Sequence, residues 1–161
     1  MKIGVISDTH DHIDNVKRAV AIFREQGVEL ILHAGDHVAP FSLPPFNESG
    51  CRIIGVYGNN DGEKLLLWKR YQEIGEIHDG PYFFTAGSHR ILLMHEPCAV
   101  DELLDSGCFD LIVFGHTHRK MLKIDKGILL NPGECCGWLE GKPSVAVVDL
   151  AVAAVNEIML Y

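Results

Sequence analysis

The chain has 161 residues, 47% of them hydrophobic, and a formal net charge of −8. This length and apolar content predict one globular domain over residues 1–161 with a substantial core. The acidic balance excludes an extended nucleic-acid surface: phosphate contacts need clustered Lys and Arg, and the pairs Lys17-Arg18, Lys69-Arg70 and Arg119-Lys120 stand isolated.

Lys2–Ile6 reads as a short buried strand. Asp11 then caps a helix with Ile13, Val16, Val20 and Phe23 on one face, ending at Gly27. A second strand covers 30–34, and a loop rich in proline and polar residues runs from 38 to 50. A third strand at 52–57 and a helix at 63–73 follow. This alternation implies parallel strands joined by right-handed crossovers. In the second half, 82–85 and 90–94 flank Gly87-Ser88 as a hairpin, Val100–Ser106 is a short helix, and 111–114 is a buried strand. Met121–Ile124 and 128–130 flank Asp125-Lys126-Gly127 as a second hairpin. A strand covers 144–150, and 154–160 is either its antiparallel partner or a C-terminal helix, since Ala151-Val152-Ala153 is poor turn chemistry. The expected fold class is α/β, a four-layer α-β-β-α sandwich of two mixed sheets flanked by helices.

The five cysteines, Cys51, Cys98, Cys108, Cys135 and Cys136, are an odd number without C-x-x-C spacing, and the adjacent pair would close a strained ring. A reduced, cytoplasmic setting is expected. No basic segment with a following apolar run precedes Lys2, so no secretory signal is expected. The apolar stretch 145–155 is broken by Asp149 and is too short to span a bilayer, so no membrane partner is expected either.

Seven side chains able to hold a metal, Asp8, His10, Asp36, Asn59, His95, His116 and His118, each sit just after a predicted strand. In an open α/β sheet, ligands gather beyond the carboxyl ends of the strands. Asp8 and His10 are two residues apart and point to one side if the segment is extended; the same holds for His116 and His118. Gly35 permits a tight turn before Asp36, whose two carboxylate oxygens can each face a different cation. Asn59 offers a neutral oxygen to a metal and an N–H to a phosphate oxygen. Each motif alone reads as a turn or a satisfied histidine. Four strand-end histidines together with two strand-end aspartates point to a metal centre.

The ordered set Asp8-x-His10, Gly35-Asp36, Gly58-Asn59-x-Asp61, His95 and Gly115-His116-x-His118 resembles the calcineurin-like metallophosphoesterase superfamily. Its size and the segment Asn131-Pro132-Gly133 make the chain similar to the compact prokaryotic phosphodiesterase branch. The resemblance implies that Asp8, His10, Asp36 and His118 hold one divalent ion, that Asp36, Asn59, His95 and His116 hold a second, and that Asp61 orients a neighbouring ligand or the phosphate site. Asp36, Asn59 and His95 would be the catalytic members. It also implies hydrolysis of a small phosphodiester by a hydroxide bridging two metals about 3.5–4 Å apart. Oxygen and imidazole donors without thiolate favour borderline or harder divalent ions, manganese, iron, cobalt, nickel or zinc; of these, manganese is the first expectation. Two divalent ions would turn this acidic cluster into a net cationic pocket.

The chain departs from the family in two places. Many members carry a histidine after the motif asparagine; here it is Asn60, which cannot protonate a leaving group. Compact relatives often follow Asn-Pro-Gly with serine, and this chain has Glu134. Among the other histidines, His12 and His37 lie near enough to the motifs to touch substrate, His33 reads as a core or positioning residue, and His78 and His89 read as surface. Arg119 reads equally as a phosphate contact or a solvated side chain. Burial within the domain is expected for Trp68, Tyr71 and Trp138, with a homo-oligomer left open. Two alternatives accompany the phosphodiesterase reading: a phosphomonoesterase acting on a small metabolite, and a metal-poor protein-interaction scaffold like the retromer subunit of the same superfamily.

Overall fold

The apolar runs that precede the candidate ligands are all strands in the computed structural model, which describes residues 1–161. The first half alternates β1 (Lys2–Ile6), α1 (Ile13–Glu25), β2 (Leu30–His33), α2 (Pro44–Ser49), β3 (Arg52–Val56), α3 (Lys64–Tyr71) and β4 (Gly75–His78). The second half follows with β5 (Tyr82–Ala86), β6 (His89–Leu93), α4 (Val100–Ser106), β7 (Leu111–Val113), β8 (Met121–Ile124), β9 (Ile128–Asn131), β10 (Ser144–Asp149) and β11 (Ala154–Met159). The six-stranded sheet has the order β11-β10-β1-β2-β3-β4, and the five-stranded sheet the order β5-β6-β7-β9-β8. Strands β1 to β4 run parallel, with Val5 beside Leu32 and Leu32 beside Ile54, while β10 pairs antiparallel with β1.

Strand periodicity divides the core into layers. Ile3, Val5, Leu32 and Val56 face inward between the sheets and meet Ile91, Leu93, Val113 and Leu130. The alternate residues Ile6, Ile31 and Ile53 face outward and are covered by Val16, Val20 and Phe23 of α1, Phe46 of α2, and Leu67 and Tyr71 of α3. On the far side, Leu104 of α4 covers Leu92, Ile112 and Leu129. The result is the expected α-β-β-α sandwich. Each large apolar side chain fully buried in these layers contributes about 1.5–3 kcal/mol. No helix is long and apolar enough to cross a membrane.

Several expectations need correction. The cap of α1 is His12, whose Nδ1 accepts from the Asn15 N–H at 3.3 Å, rather than Asp11. Asp11 donates its own N–H to His37 O and belongs to the loop before the helix. The buried face of α1 includes Asn15 and Ala19, and Ile13 is 37% exposed. Asn15 is buried because its amide donates to the carbonyls of Cys135 and Cys136, across the molecule. The segment 38–50 is not plain loop: it contains a 3-10 turn at Pro40–Ser42 and the helix α2, both begun by proline where a missing N–H costs nothing. Strand β4 was not anticipated; it is four residues long and comes after α3 with little punctuation. The C-terminus is a hairpin and not a helix. Its turn is made by a left-handed Ala153 (φ 50°) and by Asp149 Oδ1, which accepts from the Ala151 N–H at 3.1 Å in place of turn residues. Tyr71 is buried as expected, whereas Trp68 and Trp138 are exposed.

Candidate metal centre

The parallel register of β1, β2 and β3 puts their carboxyl ends level, and β6 and β7 end beside them in the facing sheet. Backbone bonds knit the loops beyond these ends: Asp8 N donates to Gly35 O (3.1 Å), His10 N to Asp36 O (3.0 Å), and Gly115 N to His95 O (3.1 Å). All seven sequence-predicted residues are brought together here. His10 Nε2 lies 3.5 Å from Asp36 Oδ2, and His118 Nε2 lies 3.5 Å from Asp8 Oδ1. The donor atoms of Asp8, His10, Asp36 and His118 all fall within 4.8 Å of one another. On the other side of Asp36, Oδ1 lies 3.4 Å from His95 Nε2. Asn59 Oδ1 sits 2.9 Å from His95 Nε2 and 2.9 Å from His116 Nδ1. Asp36 thus presents one oxygen to each of two clusters. His116 and His118, expected to share a side, are divided between them.

The backbone at five of these seven positions is strained. Asp8 (φ 51°), His10 (41°), Asp36 (59°), His116 (65°) and His118 (60°) are all left-handed. The chain therefore turns at the ligands instead of running on extended, so the two-residue spacing does not act as the alternation of a strand would have it. Each such residue costs about 1–2 kcal/mol, and strain of this kind gathers at functional sites whose surroundings impose it. The chain is closely packed beside these turns: a Cβ at Gly115 would collide with Ser7 Oγ, and one at Gly58 with the Asp36 carboxylate.

The donor set fits a cation. Asp8 Oδ1 and His10 Nε2 are buried without a hydrogen-bond partner. An unsatisfied buried polar atom costs about 1–3 kcal/mol, which a shared cation would relieve. The histidines are oriented for it. His95 Nδ1 donates to Ala34 O at 2.8 Å, and His118 Nδ1 to Glu134 Oε2 at 2.7 Å, so each keeps Nε2 free to face the centre. Burial pushes the Asp8 carboxyl up from its ordinary range, in spite of the Ser7 hydroxyl that donates to Oδ2 at 2.6 Å.

Asp61 supports the centre from below. Its carboxylate accepts from the N–H groups of Val38 (2.6 Å), Gly58 (2.7 Å) and Asp36 (3.2 Å), and from His37 Nδ1 (3.2 Å). Burial alone would raise its pKa, but His37 and the backbone donors outweigh burial and hold the carboxyl well below the usual range. His37 in turn meets Tyr71 Oη at 2.6 Å and stacks on His33 at 3.6 Å. It is fully buried, so a substrate contact by His37 is ruled out; His33, equally buried, holds the position expected of it. Asn60 turns inward: its backbone and side-chain amides donate to Asp36 Oδ1 (2.8 Å) and Oδ2 (2.7 Å). Arg119 pairs with Glu140 at 3.1 Å on an exposed surface, and the half-buried His78 stacks on Tyr82.

The residue that sequence reasoning undervalued is Glu134. It is fully buried and accepts from His118, from the Leu139 N–H (3.0 Å) and from the Glu140 N–H (2.7 Å). Burial raises its pKa, but these donors, His118 foremost, bring it below the ordinary value. The signal was present, since Glu134 is the lone charged residue between Lys126 and Glu140. A carboxylate in such an uncharged stretch needs a partner. Beside the Asn59 and His95 side of the centre opens a cavity of about 440 Å³, lined by Tyr57, Lys64, Asp79, Pro81 and Glu96.

A strand-end centre of carboxylates, amide and imidazoles on a four-layer sandwich is the arrangement of a metallophosphoesterase. The chain belongs to the calcineurin-like phosphoesterase superfamily, whose domain model matches residues 1–152. It is 37% identical to a phosphodiesterase of Methanocaldococcus jannaschii, over 99% of both chains. A solved structure of an archaeal phosphodiesterase superposes with a TM-score of 0.92 at 35% identity, covering 99% of this chain and 100% of that one. Vps29 of Chaetomium thermophilum superposes with a TM-score of 0.71 at 16% identity, over 99% of this chain and 94% of its own; at that identity the likeness is one of fold alone.

Proposed function

We propose that this chain is a metal-dependent phosphodiesterase acting on a small phosphodiester. Asp8, His10, Asp36 and His118 would hold one divalent ion, and Asp36, Asn59, His95 and His116 a second, a donor set of oxygen and imidazole that suits manganese, iron, cobalt, nickel or zinc. The observation that carries the reading is Asp36, which divides its two oxygens between two donor clusters. The relative named as a phosphodiesterase, similar along the whole chain, supports it from outside. Bound ions would supply Lewis acidity, lowering the pKa of water and neutralising phosphate oxygens.

The protein's own groups set the geometry for that chemistry. Asp61 fixes the backbone of Asp36 and Gly58, while Ala34 O and Glu134 fix the tautomers of His95 and His118. Asn60 holds Asp36 and supplies no proton to a departing oxygen. Leaving groups that are stable as anions are therefore favoured.

The test is to strip the protein of metal, add back manganese, iron, cobalt, nickel or zinc singly, and compare bis(p-nitrophenyl) phosphate with p-nitrophenyl phosphate. Diester hydrolysis restored by added metal and lost in Asp36→Asn is expected. A metal-loaded wild type that hydrolyses only the monoester, or an Asp36→Asn variant that keeps full turnover, would overturn the assignment.

A further inference from the structure

We propose that Trp138 is a stacking subsite for a planar aromatic group carried by the phosphodiester, an aryl ester or the base of a nucleoside. The inference rests on the phosphodiesterase reading and narrows its substrate class. Trp138 is 63% exposed and its neighbour Leu139 is 73% exposed. Neither belongs to any of the core clusters, so burial in the hydrophobic core does not account for an indole at this place. Its ring centroid lies 5.8 Å from that of His10 and 6.2 Å from that of His12. His10 faces the Asp36 Oδ2 side of the centre, and the cavity beside Asn59 and His95 lies on the Oδ1 side. A diester centred at Asp36 would thus have one substituent directed to the cavity and the other to the indole.

The loop that carries Trp138 is held in place. The N–H groups of Cys135 and Cys136 donate to Ser7 O (2.9 Å) and Asp8 O (3.0 Å). The Asn15 amide binds the carbonyls of the same two cysteines, and the Glu134 carboxylate takes the Leu139 and Glu140 N–H groups. An aromatic side chain fixed beside a metal-binding cluster, with an open face, meets a ligand without the entropic cost of ordering a loop. Glu140, the charged residue that follows Leu139 in the chain, is paired with Arg119 at 3.1 Å. Trp68, the other tryptophan, lies on α3 and is exposed.

The experiment uses metal-loaded, full-length protein carrying Trp68→Phe, in which Trp138 is the sole tryptophan emitter. Three monoanionic, slowly hydrolysed probes are titrated: methyl phenylphosphonate, thymidine 5′-methylphosphonate and methyl methylphosphonate. Stacking on one base is worth enough that at least about a fivefold tighter Kd is expected for a probe with an aromatic group than for the all-methyl probe. A change in Trp138 emission should accompany the aromatic probes only. Preference for phenyl alone or for thymidine as well identifies which source of the aromatic group the subsite takes. In Trp138→Leu, read by calorimetry, the preference should vanish while the all-methyl Kd holds, and Trp138→Phe should restore most of it. Equal affinity for all three probes, or a preference that survives in Trp138→Leu, would overturn the subsite while leaving metal-dependent hydrolysis intact. An aromatic preference that depends on Trp138, in protein that never hydrolyses a diester, would uphold the subsite and sink the hydrolase reading.

Discussion

Truncating Asp61 to alanine should be among the most damaging changes available outside the hydrophobic core. The carboxylate is the common acceptor for the backbone N–H groups of Asp36, Val38 and Gly58 and for the His37 ring. Removing it strands those donors in a place where Asp36 and His37 are fully or almost fully buried. Each buried donor left without a partner costs about 1–3 kcal/mol. Taking the low end of about 1 kcal/mol for Val38, which is partly open to water, the four donors sum to about 4–10 kcal/mol, a large share of the roughly 5–15 kcal/mol that holds a typical domain. Asp61→Asn keeps one acceptor oxygen and loses the charge, so it should cost about half as much. Urea unfolding of metal-free protein measures both, and the midpoint should fall with little change in slope. The dependence on pH has a definite sign. The folded pKa of Asp61 lies below its unfolded value, so its ionisation stabilises the fold at any pH above the unfolded pKa of about 4. That stabilisation is lost as the pH falls toward the folded pKa, and the gap between wild type and Asp61→Asn should narrow over the same interval. An Asp61→Ala variant within about 1 kcal/mol of wild type would show that water replaces the carboxylate and that Asp61 does not organise the centre.

Replacing Glu134 by glutamine should weaken metal binding about 10- to 100-fold in a chelator competition, since groups that orient a metal-binding histidine carry effects of that size; unchanged affinity would mean that His118 needs no orienting partner. Because Asn60 provides no acid, diester hydrolysis with chemistry rate-limiting should slow steeply as the leaving-group pKa rises, and Asn60→His should flatten the dependence. A flat series in the wild type would mean that another group delivers the proton. Manganese added at 100 times its Kd should stabilise the protein by about 2.7 kcal/mol for each ion bound, in thermal or urea unfolding. No stabilisation by any divalent ion would remove the basis for a metal centre.

The layered architecture and the positions of the candidate ligands were legible because strand-end placement is a property of local pattern. Apolar runs such as Leu30–His33 announce themselves, and the residues at their carboxyl ends are forced to one edge of the sheet. Features that depend on contacts distant in sequence were not legible. The cap at His12 arises from Asp11 being held by His37, and Asn15 reads as an exposed helix residue until the carbonyls of Cys135 and Cys136 arrive beside it. His37 looked available to substrate by its proximity to Asp36, but Asp61 and Tyr71 draw it into the interior. The left-handed backbone at the ligands carries only a weak sequence mark, because Asp and His enter that region more readily than most residues but far less freely than glycine.

That backbone and the unsatisfied atoms beside it imply a conflict between the metal centre and the stability of the fold, and Asp8 is where it can be measured. Burial raises its carboxyl pKa, so holding the charge at neutral pH costs the folded state free energy. Because the folded pKa lies above the unfolded one, this penalty is absent at low pH and complete once the pH exceeds the folded pKa. Asn at position 8 removes the charge and tolerates the left-handed φ of 51° at least as well as Asp. Its amide oxygen can take the Ser7 hydroxyl bond, and its NH₂ can face His118 Nε2, which has a lone pair there because Nδ1 donates to Glu134. Asp8→Asn should therefore make the chelator-treated protein more stable than wild type, by about 1 kcal/mol, a gain of the usual size when a strained functional site is relaxed. It should at the same time forfeit most of the stabilisation conferred by manganese, so that the order of the two proteins reverses when metal is added. Paired urea titrations in chelator and in manganese give both differences. If the variant is the weaker protein under both conditions, Asp8 is a structural carboxylate whose charge the fold needs, and its place in the metal centre fails.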